Sequence, residues 1–312
     1  MNIIVTGGLG FVGCHLVENL STKNNQITIL SKTKTKISNI KSLNKNLKIN
    51  FLDITKKKLL EKNIETINPD LIIHLAGQTS HSKSFENPLY DIDINSKSTL
   101  RILETVRKMN KNCKFILGST FVVIGKPNKL PVNENSSANP STIYGANRLL
   151  SEHYCKIYHD LYGIDTKIFR ITNSYGPKEQ VIPTKNAINY LIHRAFQGKD
   201  ITIYDNGKFF RDLIYVSDVI SGIKSIMSKG KSGNIYWISS GKKTWFYELG
   251  NLLESYTNAK VKYIKSPKYT SKVDVGNFIV NNSKLKKLDW KPKISLSKGI
   301  ELTLKYFQNL KN

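Results

Sequence analysis

Near its start the chain reads Val5-Thr6-Gly7-Gly8-Leu9-Gly10-Phe11-Val12-Gly13, with Gly7, Gly10 and Gly13 three residues apart between a β-branched run and an amphipathic stretch. These residue types at this spacing suit the holding of a pyrophosphate. Gly7 allows a tight turn, Gly10 lets backbone approach the phosphates, and Gly13 lets helix and sheet pack closely. The helix N-terminus that follows, including Phe11 and Val12, offers amide donors and the positive end of a dipole. The second β-branched run ends Leu30-Ser31-Lys32, where an acid would accept from an adenosine ribose 2′-hydroxyl. Ser31 and Lys32, with Lys34 and Lys36 beyond, instead present hydroxyl and cationic groups that suit a 2′-phosphate. NAD and NADP therefore both stay open, as does the reading of these lysines as solvated loop charges. Asp53, followed by Ile54, stands at the tip of a third run, where its carboxylate could accept from the adenine amine. Leu75-Ala76-Gly77 closes a fourth with small residues over which a cofactor can lie.

Other chemistries find less support. The three cysteines, Cys14, Cys113 and Cys155, are odd in number and far apart, so no disulfide framework or zinc-ligand spacing is read, and a reducing, cytoplasmic setting is expected. The six histidines, His15, His74, His81, His153, His159 and His193, are scattered and read as surface or packing residues, so no metal is expected. Lys and Arg number 48 against 23 Asp and Glu, a formal net charge of +25, but the lysines are spread along the whole length. A nucleic-acid partner would call for a clustered basic face with interleaved aromatics, so none is expected, although the charge favours anionic ligands in general. Met1 to Thr6 run directly into a strand-like segment, leaving no room for a leader's charged region, and no apolar run reaches membrane-spanning length.

These groups must be positioned by something, and the first half of the chain has the pattern to do so. Short β-branched runs at Asn2 to Thr6, Gln26 to Leu30, Leu47 to Leu52, Asp70 to Leu75, Cys113 to Leu117 and Asp165 to Phe169 alternate with helical stretches. The main ones are Phe11 to Leu20, Pro88 to Met109 and Thr142 to Tyr162. Six such strands with right-handed crossovers predict an α/β fold, a doubly wound parallel Rossmann sheet binding its ligand at the strands' carboxyl ends. After Thr172 the elements shorten, predicting a smaller mixed α/β domain. We expect a dinucleotide-binding domain over 1–172 and a substrate-binding domain over 173–312, with 213–238 returning to the first because Leu213 to Ile226 is apolar and helical.

The ordered set of the Gly7 turn, Asp53-Ile54, His74-Leu75-Ala76-Gly77, Ser119-Thr120, Tyr144, Arg170 to Pro177 and Arg211 to Val216 closely resembles the extended short-chain dehydrogenase/reductase family. Over nearly the whole length the resemblance is to the nucleotide-sugar epimerase and dehydratase branch, in the manner of UDP-glucose 4-epimerases. The resemblance implies that Tyr144 exchanges a proton with the sugar while hydride moves to or from the nicotinamide, and that Thr120 shares the hydrogen bond to the same oxygen. Bringing a tyrosine from about 10 to about 7 takes about 4 kcal/mol of differential stabilisation. In the family a lysine four residues on supplies the charge; here that place holds Arg148, which keeps the charge but not the shape of an ammonium. Asn173 matches an asparagine near the substrate diphosphate, and Arg211 an arginine that clamps a phosphate. A second phosphate arginine is missing around Lys268 to Asp274, where Lys268 or Lys272 could substitute.

The residues after Thr120 discriminate among reactions. Dehydratases of the family place Asp and Glu there, whereas this chain has Phe121 and Val122. The resemblance thus points to a 4-epimerase acting on a nucleotide sugar by transient oxidation at C4. The alternative is an NADP-dependent reductase of a 4-keto nucleotide sugar, and behind both stands an inactive cofactor- or nucleic-acid-binding relative. Homodimers built on two helices are usual in the family, and Pro88 to Met109 and Thr142 to Tyr162 would be the pair here.

Overall fold

Ile3, Ile4 and Val5 are all buried, because a strand inside a parallel sheet is covered on both faces. Strand alternation sends Ile3 and Val5 to one side and Ile4 to the other. The computed structural model describes residues 1–21, 24–34, 36–40, 46–109, 112–182, 187–267 and 273–311. Its main sheet takes β1 (Asn2–Thr6), β2 (Gln26–Ser31), β3 (Leu47–Phe51), β4 (Leu71–His74), β5 (Lys114–Thr120) and β6 (Thr166–Ile171). All are parallel, in the order β3-β2-β1-β4-β5-β6, the doubly wound arrangement read from the sequence. A seventh strand, Asn234–Ile238, pairs parallel with β6 and extends the sheet.

One core lies between the sheet and helices α1 (Phe11–Leu20) and Val216–Lys229, through Leu16, Val17, Val219 and Ile223. The other lies under α2 (Lys57–Ile67), α5 (Ser98–Lys108) and α6 (Ile143–Tyr162), through Leu60, Ile102, Leu103 and Cys155. Each such apolar side chain contributes about 1.5–3 kcal/mol on burial. Between α2 and α5 come α3 (His81–Glu86) and α4 (Pro88–Ile92). A third cluster, including Tyr175, Leu191, Ile203, Leu249 and Leu304, forms the core of the later elements.

Two expected elements differ in detail. The stretch Pro88 to Met109 is not one regular helix but α4 and α5 joined by a π-helical turn at Asp93–Lys97. Ser96, Ser98 and Thr99 donate their hydroxyls to the carbonyls of Ile92, Ile94 and Asn95, one turn back, and this competition accompanies the widened turn. The apolar run from Leu213 begins as a short strand, Leu213–Tyr215, and becomes helical only at Val216. The strand is anchored by the preceding Asp212, fully buried, whose carboxylate accepts from Ser240 N and Oγ, Gly241 N and Val280 N.

Candidate active site

At the end of β1 the chain turns through Gly7 at φ +69, a left-handed conformation, and a Cβ there would lie 2.8 Å from Ala76 N. Gly13 packs its α-carbon against the same turn, where a Cβ would stand 2.3 Å from the Gly7 carbonyl oxygen. Gly10 is the N-cap of α1 and offers no side-chain cap, so the first-turn amides point outward without side-chain partners. Around this turn lies a cavity of about 340 Å³. Gly7, Gly10, Phe11, Val12, Gly13, Ser31, Lys32, Asp53, Ile54, Leu75, Ala76 and Gly77 all line it. Residues chosen from four separate strand ends and one helix therefore meet in one place.

Lys32 does not stand free in that cavity. Its Nζ lies 2.8 Å from Asp53 Oδ2 and 3.3 Å from the Tyr90 hydroxyl, over whose ring it sits. Asp53 Oδ1 accepts from Thr55 N and Oγ1. Although burial opposes it, the hydrogen bonds from Lys32 and Thr55 hold the Asp53 carboxyl below its ordinary value. His74, of the His-Leu-Ala-Gly motif, is fully buried and bonded through Nδ1 to Thr6 Oγ1 at 2.7 Å. Burial first, and then the charge of Arg148, push its imidazole down to about 3, so it is a neutral structural link between β1 and β4.

Helix α6 starts where Thr142 accepts from Gly145 N, which sets Tyr144 in the first turn and Arg148 one turn on. Both are buried. A Cβ on Gly77 would lie 2.5 Å from Asn95 Oδ1 and 3.5 Å from Arg148 Nη1, so the guanidinium reaches the wall of the glycine-lined cavity. No hydrogen bond or ion pair holds it among the described residues, and Asn95 Oδ1 is likewise buried without a partner. A buried cation and a buried acceptor left unpaired by the protein mark a place shaped for another polar molecule.

Tyr144 faces a second cavity, about 410 Å³, together with Thr120, Phe121, Val122, Asn173 and Arg211. Thr79 lines both cavities and marks their junction. Burial raises the Tyr144 phenol; the Arg148 charge and the neighbouring Thr120 hydroxyl act downward, and Asp91 acts upward. Burial prevails, so in the protein alone the hydroxyl is a proton donor. Thr120 also caps the short 3-10 helix Phe121–Ile124 by accepting from Val122 N.

Asn173 and Arg211 line the same cavity because Asn173–Tyr175 runs parallel to Leu213–Tyr215, the strand that follows Arg211 by two residues, and Asn173 N donates to the Asp212 carbonyl between them. Asn173 Oδ1 is buried and unpartnered. Arg211 Nη2 is held by both oxygens of Asp274, at 2.6 and 2.7 Å, and not by its neighbour Asp212. Phe209 and Phe246, stacked at 4.2 Å, form an aromatic wall of the same cavity. Lys268 and Lys272 lie outside the described residues. Thr79, His81 and Asp274 also line these cavities, and Asn95 Oδ1 lies against Gly77; the sequence did not mark them as site residues. His81, read there as a surface or packing residue, lines the second cavity. Asp274 joins Arg211 from 63 residues away, a separation no local pattern reports. The serines and threonine after Asn95 were the one available signal of the π-helical turn that carries it.

The family model for GDP-mannose 4,6 dehydratase matches residues 4–303. A Methanocaldococcus jannaschii protein named "Putative UDP-glucose 4-epimerase" is 33% identical over 307 residues, covering 98% of each chain. The solved UDP-glucose 4-epimerase of Thermotoga maritima, with UDP-glucose, superimposes with a TM-score of 0.92 at 29% identity over 100% of both chains. The UDP-glucuronic acid 4-epimerase of Bacillus cereus, in complex with UDP-glucuronic acid and NAD, gives 0.88 at 27% identity over 99% of this chain and 100% of that one.

Proposed function

From the premise that the chain belongs to the nucleotide-sugar epimerase and dehydratase branch of the extended short-chain dehydrogenases/reductases, we propose that it is a nicotinamide-dependent 4-epimerase of a nucleotide sugar. The observation that carries the reaction type is the second cavity's lining. Where a dehydratase needs two acid/base side chains after Thr120, Phe121 and Val122 present hydrocarbon, and the cavity's carboxylate, Asp274, is paired with Arg211. What remains is Tyr144 with Thr120 and Arg148, enough to move one proton at the C4 oxygen.

The glycine turn, the free first-turn amides and the unpaired Arg148 fit a nicotinamide dinucleotide in the first cavity. When bound, that cofactor would supply the hydride acceptor and donor for the reaction. Tyr144 takes the proton from the C4 hydroxyl and returns it to the ketone oxygen after the sugar has turned. Thr120 orients that oxygen by a shared hydrogen bond, and Arg148 favours the ionised phenol. Asn173 and Arg211 hold the diphosphate, with Arg211 moving from Asp274 to the phosphates. Phe209 and Phe246 wall the cavity beside Arg211, whose guanidinium lies 5.3 Å from the Phe209 ring centroid. Incubation of the purified protein with uridine, thymidine, cytidine and guanosine diphosphate hexoses, read by NMR, tests the proposal. A C4-inverted product from at least one is expected; net reduction or loss of water instead would assign another reaction.

Ser31, Lys32 and Lys36 border the adenosine end, so NAD and NADP both remain candidates there. Replacing Ser31 by Asp together with Lys32→Asn is expected to move the ratio of affinities toward NAD by about tenfold or more. The new carboxylate accepts from a 2′-hydroxyl and repels a 2′-phosphate. Titration of both cofactors checks it, and an unchanged ratio would make the lysines bystanders.

We also read the protein as a cytoplasmic homodimer whose first cavity belongs to 1–172 with 213–238, and whose second is completed by 173–312. Cys14, Cys113 and Cys155 are buried and not disulfide-bonded, which supports a reducing setting, and no described helix is long and apolar enough to cross a membrane. Leu150, Ile157 and Leu161 are exposed at 39%, 46% and 70% on one face of α6, an apolar stripe suited to a facing copy. Ile157→Glu with Leu161→Glu is expected to halve the mass measured by light scattering; an unaltered mass would place the contact elsewhere.

A further inference from the structure

Beside Tyr144 the second cavity carries an imidazole to which the reaction above gives no work. His81 opens α3 directly after Thr79 and Ser80, and its ring stands edge-on to the Tyr144 phenol, 5.8 Å between centroids at 88°. The turn that carries it is built. Gln78 Oε1 accepts from Ser80 N, while Gln78 Nε2 donates to Ser80 O at 2.7 Å and to Asp91 Oδ2 at 2.9 Å. Asp91 Oδ1 in turn accepts from Asn147 Nδ2 at 2.8 Å, three residues along α6 from Tyr144. Imidazole and phenol are thus held in one framework. Within it His81 Nδ1 is buried and finds no partner among the described residues.

We propose that His81 is a specificity-determining residue that hydrogen-bonds a hydroxyl flanking the reacting C4, at C3 or C6 of the hexose. This rests on the nucleotide-sugar reading and deepens it by naming the sugar class, a hexose bearing a free hydroxyl there. The chemistry of the ring selects that class. Burial holds the imidazole below its ordinary value, against the pull of Asp274 and Asp91, so it is neutral, with one donor and one acceptor nitrogen. A sugar hydroxyl is likewise donor and acceptor. A carboxylate in its place would face the charges of Asp91 and Asp274 with no cation from His81. An unpaired, buried ring nitrogen also discriminates against a deoxy sugar, which leaves it orphaned.

The test uses the protein saturated with its dinucleotide and measures, by calorimetry, the affinity gained when a hexose is added to a nucleoside diphosphate. Uridine, thymidine, cytidine and guanosine diphosphates and their glucose conjugates serve as probes, with 3-deoxy and 6-deoxy glucose conjugates of the tightest base. His81→Ala is expected to lower affinity for the glucose conjugate about five- to tenfold while leaving the bare diphosphate unchanged, which also shows that the variant is folded. One deoxy conjugate should bind the unmodified protein about as weakly, and the variant should no longer tell that conjugate from glucose. His81→Asn, which keeps a polar group near the Nδ1 position, should recover part of the discrimination. A variant that binds the glucose conjugate like the parent, or still distinguishes both deoxy sugars, overturns the assignment while the nucleotide-sugar reading stands. If no hexose adds affinity to any diphosphate in the unmodified protein, both readings fall together.

Discussion

Gly10→Leu is expected to abolish dinucleotide binding while leaving the fold intact. Gly10 has an ordinary negative φ of −73 that any residue can adopt, and a Cβ there meets a single neighbour, the Gly7 carbonyl oxygen at 3.1 Å. The rest of a leucine side chain must project into the cavity at the N-terminus of α1, where the free amides lie. It would displace the pyrophosphate from at least two charge-assisted hydrogen bonds. At roughly 1.5 kcal/mol or more apiece, that is a loss of affinity of about a hundredfold or greater. Thermal unfolding with and without NAD or NADP reads the result. The parent should gain stability from one of them, and the variant from neither at the same concentrations. Gly13→Ala is the contrasting control, because its Cβ would fall 2.3 Å from backbone and the loss should be of folding. A parent protein whose melting temperature neither dinucleotide raises would remove the cofactor from the account altogether.

Gly10 is legible in the amino-acid sequence because its signal is local. Glycine spacing, a strand before it and a helix after it are local, and they lie within one stretch of the chain. The same holds for the inner strands, whose β-branched runs are buried on both sides, and for α6, which starts at the threonine that caps it. What the sequence does not display is pairing at a distance. Asp53 reads from the sequence as an independent acceptor at a strand tip, yet its carboxylate is shared with Lys32 from the neighbouring strand end, so the two residues form one unit. Asp212 follows Arg211 directly in sequence, but backbone geometry turns Asp212 inward to the loops at Ser240 and Val280 and leaves Arg211 to Asp274. His81 sits in a serine- and lysine-rich stretch with no period to mark a buried side, and only the Gln78–Asp91 anchor brings it beside Tyr144. The seventh strand, Asn234–Ile238, did carry a signal, an apolar run between Gly233 and Ser239-Ser240-Gly241. Its lone position after the shorter elements hid its role as the sheet's edge.

Arg148 is where chain and family diverge, and its removal should be visible in the pH dependence of turnover. Burial raises the Tyr144 phenol, and the charge of Arg148 is foremost among the influences that lower it. The ionised phenol is the form that takes the proton from the C4 hydroxyl, so activity should rise with pH as that form accumulates. Taking away a cation that favours it shifts the rise to higher pH. Arg148→Ala is therefore expected to cut turnover at neutral pH by about ten- to a hundredfold, with recovery toward alkaline pH. No carboxylate among the described residues is paired with Arg148, so the substitution strands no buried anion, and the effect should be kinetic more than structural. Arg148→Lys should keep most of the activity, since an ammonium on the same helix face retains the charge. Tyr144→Phe should instead lose about a hundred- to ten-thousandfold at every pH, with cofactor affinity little altered, because the proton carrier is gone and the glycine turn is not. The three variants separate charge from proton transfer in one set of pH profiles. A profile for Arg148→Ala that overlays the parent's would mean that the phenol is tuned by another group, and that the unpaired guanidinium serves only to hold the ligand at Gly77.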